Sequence, residues 1–268
     1  MVMIPSFLSR SCRRHRPQRG NPKQLIALSL SVVLSCGGRP FSSSSVQALN
    51  TVVITGTTRT EGPPRPILGP RVAQYIRQRL EHRGHTVTAV LDPLELNLPL
   101  LEKPHFAYAP SQVPPQLEEI ATLLEQADAY VTITPEFNHA PSPGLVNILN
   151  HFGSSKFSFK PSAIVTYSAG QWGGTRAAQG LRPILSELGC LPVSAMIHIP
   201  NVHQVLDTDG TVLESSSQNQ NEKWDSYSDR CFSQLEWWAQ AASNQRQLVD
   251  PFQVSPAFLQ NPSQRNAP

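Results

Sequence analysis

"TITPEFNHAPSPGLVNILNHF", residues 132–152, begins as a buried strand and ends as an amphipathic helix. Between the two stand Glu136, Asn138, His139 and the prolines Pro135, Pro141 and Pro143. A strand that feeds a helix through a short corner is half of a crossover unit, the connection that parallel strands require. Loops at the carboxyl ends of such strands are where open α/β sheets bind ligands. This corner therefore poses the questions of fold and ligand together.

The same alternation extends on both sides. Strands are expected at 50–57, 85–92, 129–134, 161–168 and 191–200, and helices at 68–84, 113–128, 143–152, 173–189 and 221–242. In the first helix Leu68, Val72, Tyr75, Ile76 and Leu80 fall near one face, with Gly84 as its stop. In the second, prolines mark the start, and Leu117, Ile120 and Leu124 share a face. Five strands alternating with helices predict one parallel sheet covered on both faces. Such a chain matches the flavodoxin-like fold, a three-layer α/β sandwich with a five-stranded parallel sheet of order 2-1-3-4-5. The domain is expected over 50–242, and 243–268 reads as a mobile tail.

Composition sets the boundaries of this domain. Of 268 residues 39% are hydrophobic, enough for an ordinary core, and the net charge of +3 is unevenly placed. No Asp or Glu precedes Glu61, while residues 1–49 carry Arg10, Arg13, Arg14, Arg16, Arg19, Lys23 and Arg39. The remainder holds 15 basic against 19 acidic residues. That mildly acidic body lacks the footprint of a nucleic-acid binder. The basic, acid-free, serine-containing segment 1–49 reads as a targeting leader. Its "RPFSSSS", residues 39–45, resembles a mitochondrial processing site, and a bipartite plastid leader fits almost as well. The alternatives are an unprocessed tail and a cytoplasmic protein. "LIALSLSVVL", residues 25–34, is too short to span a bilayer. Cys12 and Cys36 lie in this leader, and Cys190 and Cys231 are far apart, so neither a disulfide framework nor a zinc site is expected. His139, His151, His198 and His203 lie in different elements without metal-ligand spacing.

Three loops leave one edge of such a sheet. "GTTRTEGPPRPILGPR", residues 56–71, offers the hydroxyls of Thr57, Thr58 and Thr60 and the cations Arg59, Arg65 and Arg71 at a helix start. It is either a phosphate site or a solvated proline-rich turn. It is neither a dinucleotide GxGxxG nor a GxxxxGK[ST] loop. In the corner at 135–143, Glu136 and Asn138 either meet a flat ligand or cap the following helix. "YSAGQWGGTR", residues 167–176, has glycines that admit close backbone approach, and Trp172 as a ligand wall or an exposed aromatic. A phosphate site, a stiff planar shelf and a glycine-rich wall together describe a flavin mononucleotide pocket.

"PEFN" followed by "PGLVNILNHF" resembles a stretch of the NADPH-dependent FMN reductase family, which includes related quinone, chromate and azo-dye reductases. "GTTR" is similar to its phosphate loop, and "TYSAGQWGGTRAAQGLRPILSELGCLPV" to its later glycine-rich segment. The resemblance covers roughly 50–242 and implies FMN as cofactor. Thr57, Thr58 and Arg59, with Arg65, would hold its phosphate. Pro135, Glu136, Phe137 and Asn138 would border the isoalloxazine, and Ser168, Ala169, Gly170, Trp172 and Gly173 would close the opposite side. No catalytic side chain and no metal are implied. The implied reaction is hydride transfer from NADPH or NADH to FMN N5, then reduction of a quinone, a free flavin or a similar small acceptor, in a homodimer or homotetramer. The family's K-N-A-I-D reads V-N-I-L-N at 146–150, losing a lysine and an aspartate. A flavin-binding electron carrier or redox-responsive interaction protein without efficient NAD(P)H turnover, and a metal-dependent hydrolase on Asp92 and Glu95, are the alternatives. Trp237 and Trp238 read as packing or subunit-contact residues.

Overall fold

A computed structural model of the chain describes residues 47–63, 66–213 and 220–254. Most of the expected leader, residues 1–46, lies outside the described residues, and so do Arg65 and residues 255–268.

The chain begins with β1 (Asn50–Thr55), α1 (Gly69–His82), β2 (Thr86–Leu91), the single turn α2 (Pro93–Leu96) and α3 (Pro115–Gln126). β3 (Ala129–Phe137), β4 (Ala140–Pro141), α4 (Pro143–Asn150), the short α5 (Ser154–Phe157) and β5 (Pro161–Tyr167) follow. α6 (Thr175–Glu187), β6 (Leu191–Pro192), β7 (Ile197–Ile199), the turn α7 (Val202–Val205), α8 (Gln220–Leu248) and α9 (Pro251–Val254) complete it. The sheet runs β2-β1-β3-β5-β6, with β7 also pairing β5. All of these pairings are parallel. Successive strand residues point to opposite faces. Val53, Val131 and Val165 therefore join α1, α7 and α8 in one core, while Val52, Ile54 and Ile164 join α3, α4, α5 and α6 in the other. Burial on both faces explains why the strands read as unbroken apolar runs.

Three expectations need correction. The fifth strand is two pieces of one edge. β6 pairs with the start of β5 and β7 with its end. Pro192 has no N–H for a ladder, and the backbone that bows out is bonded elsewhere. Arg182 donates to the carbonyls of Pro192 and Val193 at 3.0 and 2.8 Å, and Ala195 N–H donates to Gln234 Oε1 at 3.0 Å. The third strand runs to Phe137, three residues beyond the expected end, because its end folds back on β4. The last helix continues past 242 to Leu248. No proline interrupts it before Pro251, and Arg246 ties it down by donating to Phe159 O at 2.9 Å and pairing with Asp128 at 3.3 Å. Trp237 and Trp238 are 72% and 46% exposed on this helix, so neither is a core residue.

α8 is bolted to α1 through charge. Arg83 Nη2 donates to Glu236 Oε2 at 2.7 Å, and His85 Nε2 lies 2.7 Å from Glu236 Oε1. Burial raises the Glu236 carboxyl, but the bonds from His85 and Arg83 outweigh it and bring the group from 4.5 down to about 2. A depressed carboxylate contributes stability that is complete above pH 4.5 and disappears as pH falls through about 2. Glu236→Gln should therefore cost about 2 kcal/mol near neutral pH, allowing for partial screening. Denaturant melts at pH 7, 4 and 2.5 check this, and the gap from wild type should shrink at each step.

Candidate functional site

The corner at 135–143 contains a β-hairpin. β3 leaves the parallel sheet and pairs antiparallel with β4, Glu136 opposite Pro141 and Phe137 opposite Ala140. Its two turn residues, Asn138 and His139, have φ of 49° and 65°. Positive φ at both is the type I′ pattern whose twist suits a two-residue hairpin. Pro135, Glu136 and Phe137 are thus strand residues rather than loop residues.

The hairpin is fastened at both ends. Ser142 N–H donates to Thr134 Oγ1 at 2.9 Å, and the Ser142 hydroxyl accepts from Gly144 N at 3.1 Å while donating to Gly56 O. Ser142 is therefore the cap of α4, and neither Glu136 nor Asn138 has that task. Glu136 instead accepts from the backbone N–H of Arg176 in the first turn of α6 at 3.2 Å. It also pairs with the Arg176 guanidinium, which donates to His139 Nε2 at 2.7 Å. Sequence reasoning missed Arg176 because its partners lie 37 and 40 residues away.

The loop after β1 faces the hairpin. Thr57 is buried, and its Oγ1 accepts from Arg59 N at 3.4 Å. Arg59 Nη2 donates to Glu61 O at 3.4 Å and to Pro63 O, which leaves Nε and Nη1 without a bond among the described residues. α1 starts here at Gly69 with no side-chain cap. Pro70 has no N–H and Val72 N donates to Leu68 O at 3.3 Å, which leaves the N–H groups of Gly69 and Arg71 without intrahelical partners. A Cβ on Gly69 would lie 2.5 Å from Thr57 Cγ2 and 2.8 Å from Tyr167 Oη. Only a bare backbone fits there. Arg71 turns away and donates to Leu206 O at 2.6 Å.

The third loop is held by its own backbone. Ser168 Oγ donates to Gly170 O at 2.7 Å and accepts from Gly173 N at 3.0 Å. Gly174 has φ of 79° and lies against Thr166, so the turn into α6 demands glycine. Trp172 is 62% exposed, with the Arg176 guanidinium 5.9 Å from its ring.

These parts enclose a cleft of about 240 Å³ at the carboxyl edge of the sheet. Of the residues singled out in the sequence, Thr57, Arg59, Pro135, Glu136, Phe137, Ser168 and Ala169 line it. Thr58, Asn138, Gly170, Trp172 and Gly173 lie outside the lining, and Gly173 packs on Pro200. Ile67, Leu68, Gly69 and Tyr167 line it without having been singled out. Gly-Pro at a helix start was the available signal for Gly69. Burial pushes the Tyr167 hydroxyl above its ordinary range, partly offset by its bond to Thr57. Tyr167 therefore stays a neutral floor.

A larger cavity of about 400 Å³ lies near Phe159, Leu191 and Trp238. It is almost wholly apolar, and its Lys160 is committed to the carbonyls of Leu124 and Glu125 at 2.8 and 2.6 Å. Convergent polar groups belong to the smaller cleft.

The family model described as NADPH-dependent FMN reductase matches residues 49–204. An NADPH azoreductase of Bacillus sp. (strain OY1-2) is 28% identical over 155 residues, covering 57% of this chain and 77% of the azoreductase. An NAD(P)H-dependent FMN reductase of Pseudomonas aeruginosa is 30% identical over 109 residues, covering 39% of this chain and 59% of that protein. Among solved structures, the flavoenzyme NAD(P)H:(acceptor) oxidoreductase FerB from Paracoccus denitrificans superposes with a TM-score of 0.53 at 18% identity. That match covers 70% of this chain and 98% of FerB, and it shows a shared fold.

Proposed function

The chain belongs to the NADPH-dependent FMN reductase family, whose model spans more than half of it, and we propose that it oxidises NAD(P)H through FMN held in the 240 Å³ cleft and reduces a small acceptor such as a quinone. The observation that carries this reading is the uncapped start of α1 in the lining of the cleft, where the bare backbone of Gly69 packs against Thr57 and Tyr167.

The residues present fit the cofactor. At one end the Thr57 hydroxyl, the first N–H groups of α1 and the two spare donors of Arg59 suit a phosphate. Gly69 lets the start of α1 pack directly against Thr57 and Tyr167 in the wall of the cleft, where a Cβ would collide with both. At the other end Pro135–Phe137 and Ser168–Ala169 form two walls around the Tyr167 floor, which suits a flat ring system. Bound there, FMN supplies the hydride-accepting and electron-donating chemistry. The chain supplies position. Its hairpin wall is fixed by Ser142, Thr134 and Arg176 before any ligand arrives, which lowers the ordering cost of binding. Glu136 is engaged by Arg176, so it serves as a brace rather than a free acid or base.

A homodimer or homotetramer and delivery to an organelle, mitochondrion ahead of plastid, complete the proposed reading. Exposed Trp237 and Trp238 support the first, and the acid-free basic composition of residues 1–49 supports the second.

Purified full-length chain mixed with FMN should take up one flavin. The absorption bands should bleach when NADPH is added, and NADPH oxidation should continue steadily once a small quinone is supplied. Protein that stays colourless would overturn the reading. Flavin that is bound and reduced but passes nothing to quinones, azo dyes or free flavin would make the chain a carrier.

A further inference from the structure

His198, on the edge strand β7, takes no part in the cleft. Its Nδ1 is 2.7 Å from Thr166 Oγ1, which is also 2.7 Å from Gly173 O. One arrangement satisfies both contacts. Thr166 donates its single proton to Gly173 O, and His198 Nδ1–H donates to Thr166. The imidazole is then fixed as the Nδ1–H tautomer, with an Nε2 lone pair that no described residue engages.

His198 helps line an open cavity of about 390 Å³ with Pro200, Lys223, Trp224 and Tyr227. Trp224 and Tyr227, on successive turns of α8, meet edge to face at 5.7 Å. The Tyr227 hydroxyl accepts from His198 N at 3.0 Å and holds helix and strand together. Arg230 places its guanidinium 5.8 Å from the Tyr227 ring. Lys223 and Arg230 carry no ion pair among the described residues, and the neighbouring Asp225 is engaged by Arg79 at 2.9 Å. Two aromatic rings, Lys223 and His198 line one opening, and Arg230 stands beside its Tyr227 ring.

The opening adjoins the flavin cleft through a single loop. Asn201 N donates to Gly170 O at 3.0 Å and Ser168 N to Ile199 O at 3.1 Å. A Cβ on Gly173 would come within 3.0 Å of Pro200 N. β7 is two strands from β3, about 10 Å at ordinary strand spacing. A ligand that lies over the cleft can therefore cross the 168–174 loop and reach the cavity.

We propose that this cavity binds the adenosine-phosphate half of the nicotinamide donor, an inference that rests on the flavin reading above. The purine would lie against Trp224 and Tyr227. The adenine amino group would donate to His198 Nε2, and Lys223 with Arg230 would take phosphate. A ribose 2′-phosphate adds charge at that end, so the site favours NADPH over NADH.

Calorimetric titration of the full chain with adenosine 2′,5′-bisphosphate tests this, with an FMN titration run beside it. Wild type should bind the bisphosphate in competition with NADPH. Trp224→Ala should weaken that binding at least 10-fold and raise the KM for NADPH by a similar factor, with a smaller change in kcat. Lys223→Glu, at an exposed position, should do the same without disturbing the core. Absence of bisphosphate binding, or wild-type binding by both variants, overturns the inference. Binding that does not compete with NADPH makes the cavity an effector site and overturns it equally. FMN uptake without bisphosphate binding sinks this inference alone, whereas failure of FMN uptake sinks the flavin reading.

Discussion

Gly69→Leu should abolish FMN binding in a chain that still folds. The replaced glycine is the first residue of α1 and has ordinary helical backbone, so leucine adds no conformational strain and improves helix propensity. The cost falls on the cleft. A Cβ alone would collide with Thr57 Cγ2 at 2.5 Å and Tyr167 Oη at 2.8 Å, so both lining residues must shift and the cleft is deformed at that end. FMN affinity should fall at least 100-fold, about 2.8 kcal/mol. Gly69→Ala should lie between this variant and wild type. Flavin titration followed by fluorescence, with circular dichroism to confirm folding, checks both. Wild-type affinity in folded Gly69→Leu protein would mean that the phosphate end is bound elsewhere.

Phe157→Ala should do the reverse. Phe157 is fully buried on the single turn α5 and meets the Tyr130 ring edge-on at 5.2 Å. Tyr130 in turn bonds Leu124 O at 2.7 Å and Lys156 O at 2.6 Å, so α3, α5 and β3 converge on this ring pair. Removing a buried phenyl ring leaves a cavity that these fixed elements close poorly. The expected loss is about 4 kcal/mol, which lowers Tm by roughly 10 °C in a domain of this size. FMN affinity at low temperature should stay near wild type, because Phe157 lies at the start of β5 and the cleft at its far end. The two are separated by about 20 Å along the strand. A large change in flavin affinity without loss of Tm would show the two ends of the sheet to be coupled.

The fold was legible because it rests on local periodicity. Leu68, Val72, Tyr75, Ile76 and Leu80 all lie on the buried face expected of them, and the parallel sheet has the flavodoxin-like order expected of it. The cleft was half legible. Thr57, Arg59 and Pro135–Phe137 announce themselves by type and position. Tyr167 does not, because a tyrosine ending a strand reads as core until the loops around it are placed. Glu136 shows the limit well. Its residue type suggests capping, and it does cap a helix, but that helix is α6, more than thirty residues further along. Contacts of that separation are decided by which strands lie side by side, and single-chain spacing carries no record of them. The split of the last strand was hidden for a related reason, since Arg182 and Gln234 reach it from two different helices.

That split has a further result for the behaviour of the chain at high concentration. An uninterrupted edge strand offers a neighbouring molecule a ready row of donors and acceptors, the usual starting point of intermolecular sheet growth. Here Pro192 lacks a donor, Arg182 covers two carbonyls, Gln234 takes the Ala195 N–H and Tyr227 takes that of His198. A foreign strand finds no continuous ladder to extend, so this margin of the sheet resists aggregation without needing a subunit to shield it.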